Sequence, residues 1–295
     1  MASIKRAILK AIIYADIFDF PLTEDECRIF AVAEKIPPGR LVSREISSLH
    51  EIEHLDGFYF LKGRKALVPL RKKREASTMQ KVAIGRALGG YLGLIPSILF
   101  IGISGGVGAG NAEEDDDIDF FIITEANTLW TTRMLTLLVL HLLGRRRARN
   151  ARFVRDLACV NMFMDGGNLS LPPVMRSVYS AFEVVNMLPV FSRGKAYETF
   201  LKKNEWVFSY LPNAKGKVDG YSYKESKGSG TGVVKLLTLT PMVQLSKFLQ
   251  QWYMGKRREE SFVSDRMLGF YPQTFHEAVL HRYKERLSHF GIDEI

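Results

Sequence analysis

The chain is poor in cysteine, with two in 295 residues, Cys27 and Cys159. Two thiols so far apart suggest neither a disulfide framework nor a zinc-ligand cluster, so a reducing compartment is expected. Long apolar runs are also missing. The most hydrophobic stretch, Met134 to Leu143, is half the roughly 20 residues that a membrane-spanning helix needs. At the N-terminus, Asp16 and Asp19 interrupt the apolar pattern. That segment therefore reads as a helix rather than a secretion signal, and a cytoplasmic protein without a membrane association is expected. There is no internal repeat. The six histidines are scattered, and no metal-ligand spacing links them.

What is present is ordinary core-forming material with a basic excess. Hydrophobic residues make up 46% of the chain, and 41 Lys and Arg outweigh 32 Asp and Glu for a net charge of +9. The excess favours polyanionic partners such as nucleotide phosphates, nucleic acid or an acidic surface.

Three regions follow from patterning. Over residues 1–74, helical spacing predicts a first helix at Ile4–Tyr14. Thr23 with Glu26 makes a capping box for a second helix, and a third is expected over Arg40–Glu51. Strands are expected at Phe58–Leu61 and Ala66–Val68, joined by Lys62–Lys65. Three helices and a hairpin resemble the layout of a winged helix-turn-helix domain. Residues 75–168 begin with a helix at Ser77–Leu92. A buried strand at Ser97–Ser104, a glycine-rich turn at Gly105–Gly110 and a strand at Asp117–Thr124 follow. Next come an apolar, buried helix at Thr128–Leu143 and a strand at Leu157–Met164. Residues 169–295 read as helical, at about 174–188, 195–210, 232–254 and 273–290, with a Gly/Ser/Lys-rich loop over 213–232. The fold class expected is α+β: a winged-helix-like domain, a small mixed sheet with flanking helices, and a helical C-terminal region.

The chemistry is concentrated in Ser104-Gly105-Gly106 and Asp117-Ile118-Asp119-Phe120. Alternation along a strand puts Asp117 and Asp119 on one face, about 7 Å apart, where they can share a hard cation. Glycines let a phosphate approach the backbone closely. Carboxylates facing such a turn suit phosphoryl or nucleotidyl transfer. The alternative is a solvated loop of glycines and acids, which two flanking buried strands make less economical.

These residues resemble the motif of the DNA polymerase β-type nucleotidyltransferases. That motif is Gly followed by Gly or Ser, a gap of ten residues here, then Asp–hydrophobic–Asp–hydrophobic. Ser104 stands where a hydrophobic residue is usual, and Gly106 where Ser is commoner. The likeness spans residues 97–165. It implies Mg²⁺ or Mn²⁺ held by Asp117 and Asp119, and a nucleoside triphosphate, ATP being the expected one, bound at Ser104, Gly105, Gly106 and Asn111. The acceptor hydroxyl is not identified by the sequence.

The superfamily usually adds a third acid from a later strand. Here alternation offers Cys159 and Asn161, so Asn161 is the expected third metal ligand. Asp156, Asp165 and Glu183 are candidate stand-in carboxylates. Arg133, in an apolar helix, needs a partner and is read as nucleotide-binding. Basic clusters at 62–74 and 145–155 could contact nucleic acid. The weak third acid keeps open a second reading, a catalytically degenerate regulator of the same fold that binds nucleotide, DNA or both.

Overall fold

The computed structural model describes residues 2–36, 42–148, 151–226, 234, 237–238, 240–254, 262–270 and 273–292. The chain is a mixed α+β protein. Its N-terminal part comprises α1 (Ala2–Asp16), β1 (Leu22–Thr23), α2 (Glu24–Ile29), α3 (Val42–Ile46), β2 (Ile52–Leu55) and β3 (Phe58–Leu61). The Thr23–Glu26 capping box is formed, with both reciprocal hydrogen bonds present. α3 is shorter than its apolar pattern. Ser47 and Ser48 turn their hydroxyls back onto the carbonyls of Arg44 and Glu45, which competes with continued helix. Arg40 and Leu41 lie outside the described residues. The three strands pair in the order β1-β3-β2.

Here the expected hairpin is corrected. Phe58–Leu61 is a strand, but its partner is Ile52–Leu55. Asp56 and Gly57, at φ 51° and 83°, make the turn. Asp-Gly with both residues at positive φ matches the twist of antiparallel strands. Ala66–Val68 is not a strand: Leu67 opens α4 (Leu67–Leu92), a single helix of 26 residues that runs through position 74.

The remaining elements are β4 (Ile98–Ile103), α5 (Gly105–Gly108), β5 (Ile118–Thr124), α6 (Leu129–Leu142), β6 (Ala158–Asp165), α7 (Val178–Asn186), β7 (Leu188–Arg193), α8 (Ala196–Lys203), α9 (Val207–Tyr210), α10 (Lys215–Asp219), β8 (Lys224–Ser226), α11 (Thr240–Met254), β9 (Phe262–Val263), β10 (Met267–Gly269) and α12 (Gln273–His289). One seven-stranded sheet, ordered β8-β7-β4-β5-β6-β10-β9, holds them together. β4 runs antiparallel to β5 and β7, and β5 runs parallel to β6.

Four strands of this sheet arise in the region read as helical, and part of the loop expected over 213–232 folds as α10 and β8. β7 contains Pro189, which lies opposite Gly102 beside a register shift. An irregular pairing is where a strand tolerates a residue with no N–H. α6 is likewise less enclosed than its composition suggests, since Leu138 is 50% and Leu142 75% exposed. No helix among the described residues is long and apolar enough to cross a membrane.

The sheet separates two cores. Ile118, Phe120 and Ile122 of β5 join residues of α4 and α6 on one face. Phe121 and Ile123 face the other way, among residues of α1, α7 and α8. That alternation sends Asp119 to the second face, toward the N-terminal helices, while Asp117, just ahead of the strand, meets Arg147.

Candidate functional site

β4 ends at Ile103 and the chain turns at once into α5. Ser104 N–H donates to the Asp119 carbonyl at 2.9 Å, which fixes the turn against β5. Gly105 sits at φ +61°, and a Cβ there would lie 2.5 Å from Asp119 Oδ2. Only glycine permits both the left-handed backbone and that approach. At Gly106 an added Cβ would meet nothing closer than 3.6 Å, so the position has room for the more usual serine.

The turn and Asp119 line one cleft of about 590 Å³, in which Gly105, Gly106, Asp119, Asn161 and Glu183 are among the polar lining, and Asp117 is not among its lining residues. Such a volume is that of a small-molecule site. The opposite wall is aromatic, with Tyr14, Phe18 and Phe30 from the N-terminal helices and Tyr179 and Phe182 from α7. Tyr14 and Phe182 stack with ring centres 3.8 Å apart. Asn111 also lines the cleft, but its side chain is engaged there. Its Nδ2 donates to the Phe18 carbonyl at 2.8 Å and its Oδ1 accepts from Arg74 at 3.1 Å, so it braces the N-terminal unit against the turn.

Beside Asp119, the parallel register of β6 places Cys159. Asp117, Asp119 and Cys159 each offer a ligand atom, all within 4.8 Å of one another. Asn161, two residues on, reaches the same cleft, and its main-chain carbonyl accepts from Phe270 N–H at 2.8 Å. Of the stand-in acids, Asp156 pairs with Lys81 at 2.9 Å. Asp165, at the far end of β6, accepts from Asn127 and Gly167 N–H. Glu183 is the one at the site: it accepts the Gly105 N–H and acts electrostatically on Asp119.

Two carboxyl groups here are pushed to about 7. For Asp119 the cause is burial first, then the charge of Asp117, with Glu183 adding to it; a hydrogen bond from Cys159 and the charge of Arg147 oppose the rise. For Glu183 it is burial, opposed by the Gly105 N–H. Burial and the same two aspartates push the Cys159 thiol up, so it is protonated at neutral pH. Asp117 is held by Arg147, whose Nη1 lies 2.6 Å from Oδ2.

Raised carboxyl pKa values mean that the metal-free folded state binds protons more tightly than the unfolded chain between about pH 4 and 7. Stability is therefore expected to fall as pH rises through that interval. Glu183 contributes about 2 kcal/mol of this slope after allowance for solvent in the cleft. Urea unfolding in EDTA at pH 5 and pH 8 should show the loss, and Glu183→Gln should flatten it. An unchanged slope in that variant would refute the assignment.

Two carboxylates suit a hard divalent cation such as Mg²⁺ or Mn²⁺, while a thiolate draws the preference toward Zn²⁺ or Cd²⁺. Cd²⁺ should produce a thiolate charge-transfer band that Cys159→Ser abolishes. The other cysteine, Cys27, is buried in the N-terminal core. A band that survives the substitution would remove Cys159 from the site.

Arg133 lies elsewhere. Its guanidinium sits 4.7 Å from the Phe270 ring centre and bonds Gln250. It lines a second cavity of about 120 Å³ with Arg146, Arg147 and Cys159, not the cleft of Gly105 and Gly106. In the 62–74 cluster, Arg64, Arg71, Lys72 and Arg74 pair with Asp16, Asp19, Glu26, Glu75, Asp56 and Glu113. In the 145–155 cluster, Arg147 and Arg155 pair with Asp117 and Glu114, while Arg149 and Asn150 lie outside the described residues. Much of the charge that could meet a phosphate backbone is thus spent within the chain.

The roles of Cys159, Arg147 and the aromatic wall are not evident in the sequence. Cys159 has a signal, its place beside Asn161 on the β6 face; the wall, assembled from distant segments, has none. Comparison with protein-family models, with curated proteins and with solved structures finds no match for this chain.

Proposed function

We propose that the chain is a metal-dependent nucleotidyltransferase of the DNA polymerase β type, moving a nucleoside monophosphate from a triphosphate, ATP being the expected one, to an acceptor hydroxyl. One observation carries this reading: the glycine turn and Asp119 line the same cleft, with Gly105 packed against the Asp119 carboxylate and a carboxylate oxygen of Asp117 within 4.8 Å of it. Asp117 and Asp119 would hold a Mg²⁺ or Mn²⁺ ion, which when bound neutralises charge on the phosphate oxygens. The aromatic wall offers a stacking surface for a base. The acceptor oxygen forms a bond to the α-phosphorus. The bond from that phosphorus to its bridging oxygen breaks, and pyrophosphate leaves. Asp119, which borders the turn and the cleft, is the carboxylate placed to accept the hydroxyl proton. Glu183 positions the turn through the Gly105 N–H.

The second reading, a nucleotide-binding regulator without turnover, draws on Arg147 against Asp117 and on a thiol where a third strand acid is usual. Its N-terminal part follows the helix and strand order of a winged helix, including sheet order β1-β3-β2. Incubation with α-labelled nucleotide and Mg²⁺ or Mn²⁺ separates the two. Transfer that Asp119→Asn abolishes supports the enzyme. Binding without label transfer supports the regulator. Neither binding nor transfer would end both.

A further inference from the structure

Resting on the transferase reading, we infer that the acceptor carries a phosphate group, held in the second cavity by Arg133, Arg146 and Arg147. The acidic cluster has two sides. On one, Asp119 touches the glycine turn and opens into the 590 Å³ cleft. On the other, Cys159 lines the 120 Å³ cavity together with the three arginines. Cys159 belongs to both the acidic cluster and this cavity, so with the triphosphate on the turn the arginine-lined cavity is the neighbouring compartment assigned to the acceptor.

The cavity is built for an anion. Its described lining contains three guanidiniums and no carboxylate, the rest being Cys159 and apolar residues such as Leu137, Val160 and Met254. Arg133 is fixed in place: Phe270 lies under it, and Gln250, its hydrogen-bond partner, is itself anchored to the Trp130 carbonyl at 2.7 Å. Arg147 is fixed by Asp117 at 2.6 Å, so it joins the acidic cluster to the cavity. Rigid guanidinium forks match phosphate oxygens and favour them over a point charge. The cleft, by contrast, carries Glu113, Asp116, Asp119 and Glu183 against Arg74. The two compartments therefore differ in sign: a phosphate in the cleft depends on a bound cation, whereas the arginine cavity can hold one directly.

The test titrates the full chain with inorganic phosphate, and with acetate at equal ionic strength, in the presence and absence of a non-hydrolysable ATP analogue with Mn²⁺. Phosphate should bind alongside the analogue and at least about tenfold more tightly than acetate. Arg133→Gln/Arg146→Gln should weaken phosphate by about tenfold or more and the analogue by less than about threefold. Arg146→Gln alone, which disturbs no packing against Phe270, should weaken phosphate by about threefold, so the inference stays testable if the double variant misfolds. Phosphate binding that is absent, indifferent to these arginines, or competitive with the analogue would overturn the inference while leaving nucleotide binding intact. Loss of analogue binding in the wild type would strike the transferase reading itself.

Discussion

Asp119→Asn is expected to lower nucleotidyl transfer by about a thousandfold, equivalent to about 4 kcal/mol of transition-state stabilisation, while making the metal-free protein more stable above pH 7. Both effects come from the same side chain. Asp119 is buried beside Asp117 and Glu183 and holds its proton to about pH 7, so above that pH folding must accommodate an unfavourable charge. Asparagine keeps the shape and removes the charge, but it can neither ligate a cation with an anionic oxygen nor accept a proton. A gain in stability with a loss of function is the expected mark of a site held against its own electrostatics. Thermal melts at pH 8 in EDTA, paired with the transfer assay, read both. A variant that loses activity and stability together would show that Asp119 supports the fold rather than the chemistry.

Lys81→Met should destabilise the fold more than any change at the aspartate pair. Lys81 is 1% exposed. Its Nζ donates to the Glu114 carbonyl at 2.9 Å, the Asp116 carbonyl at 2.7 Å and Asp156 Oδ1 at 2.9 Å. One ammonium therefore ties α4 to the acidic loop and to the residue that leads into β6. Removing it leaves a carboxylate and two carbonyls without their donor, at a cost of about 3–5 kcal/mol. For a chain of this size that corresponds to a fall in Tm of about 5–8 °C. The loop that carries Asp116 into Asp117 should loosen with it, weakening Mn²⁺ affinity even at temperatures where the variant is folded. Asp156→Asn should cost less, because both carbonyl contacts survive. A melting temperature within about 2 °C of wild type would contradict this role.

The parts of this architecture that are legible in the sequence are those set by local chemistry. β4 and β5 stand out as apolar runs bounded by glycines and acids, and the Thr23–Glu26 cap is formed as its residues require. The nearness of Asp117 to Asp119 is what alternation suggests, although Asp117 stands just ahead of β5 and is held by Arg147. The rest is either a local signal outweighed by a neighbouring one or a contact without any. Asp56-Gly57 is a turn signal of the first kind. Placing the turn at Lys62–Lys65 instead moves the hairpin by one strand and breaks α4 at its start. β7 is hidden by Pro189, which only its position at an irregular pairing makes tolerable. β9 and β10 are two and three residues long, too short for any periodicity to register. Glu183 reads locally as one polar residue on an apolar helix. Its nearness to Asp119 depends on how α7 packs, which no window of sequence contains. The clustering of Arg133, Arg146 and Arg147 has the same origin, since α6 and the segment beyond it meet only once the sheet is assembled.

The central claim is that Asp117 and Asp119 jointly hold a divalent cation against a phosphate seated on Gly105 and Gly106. Electron paramagnetic resonance of bound Mn²⁺ with a non-hydrolysable ATP analogue measures this most directly. A protein-bound signal with phosphorus coupling from the nucleotide, lost in Asp117→Asn/Asp119→Asn, is the predicted result. The same signal undiminished in that double variant, or no bound Mn²⁺ in the wild-type protein, would contradict it.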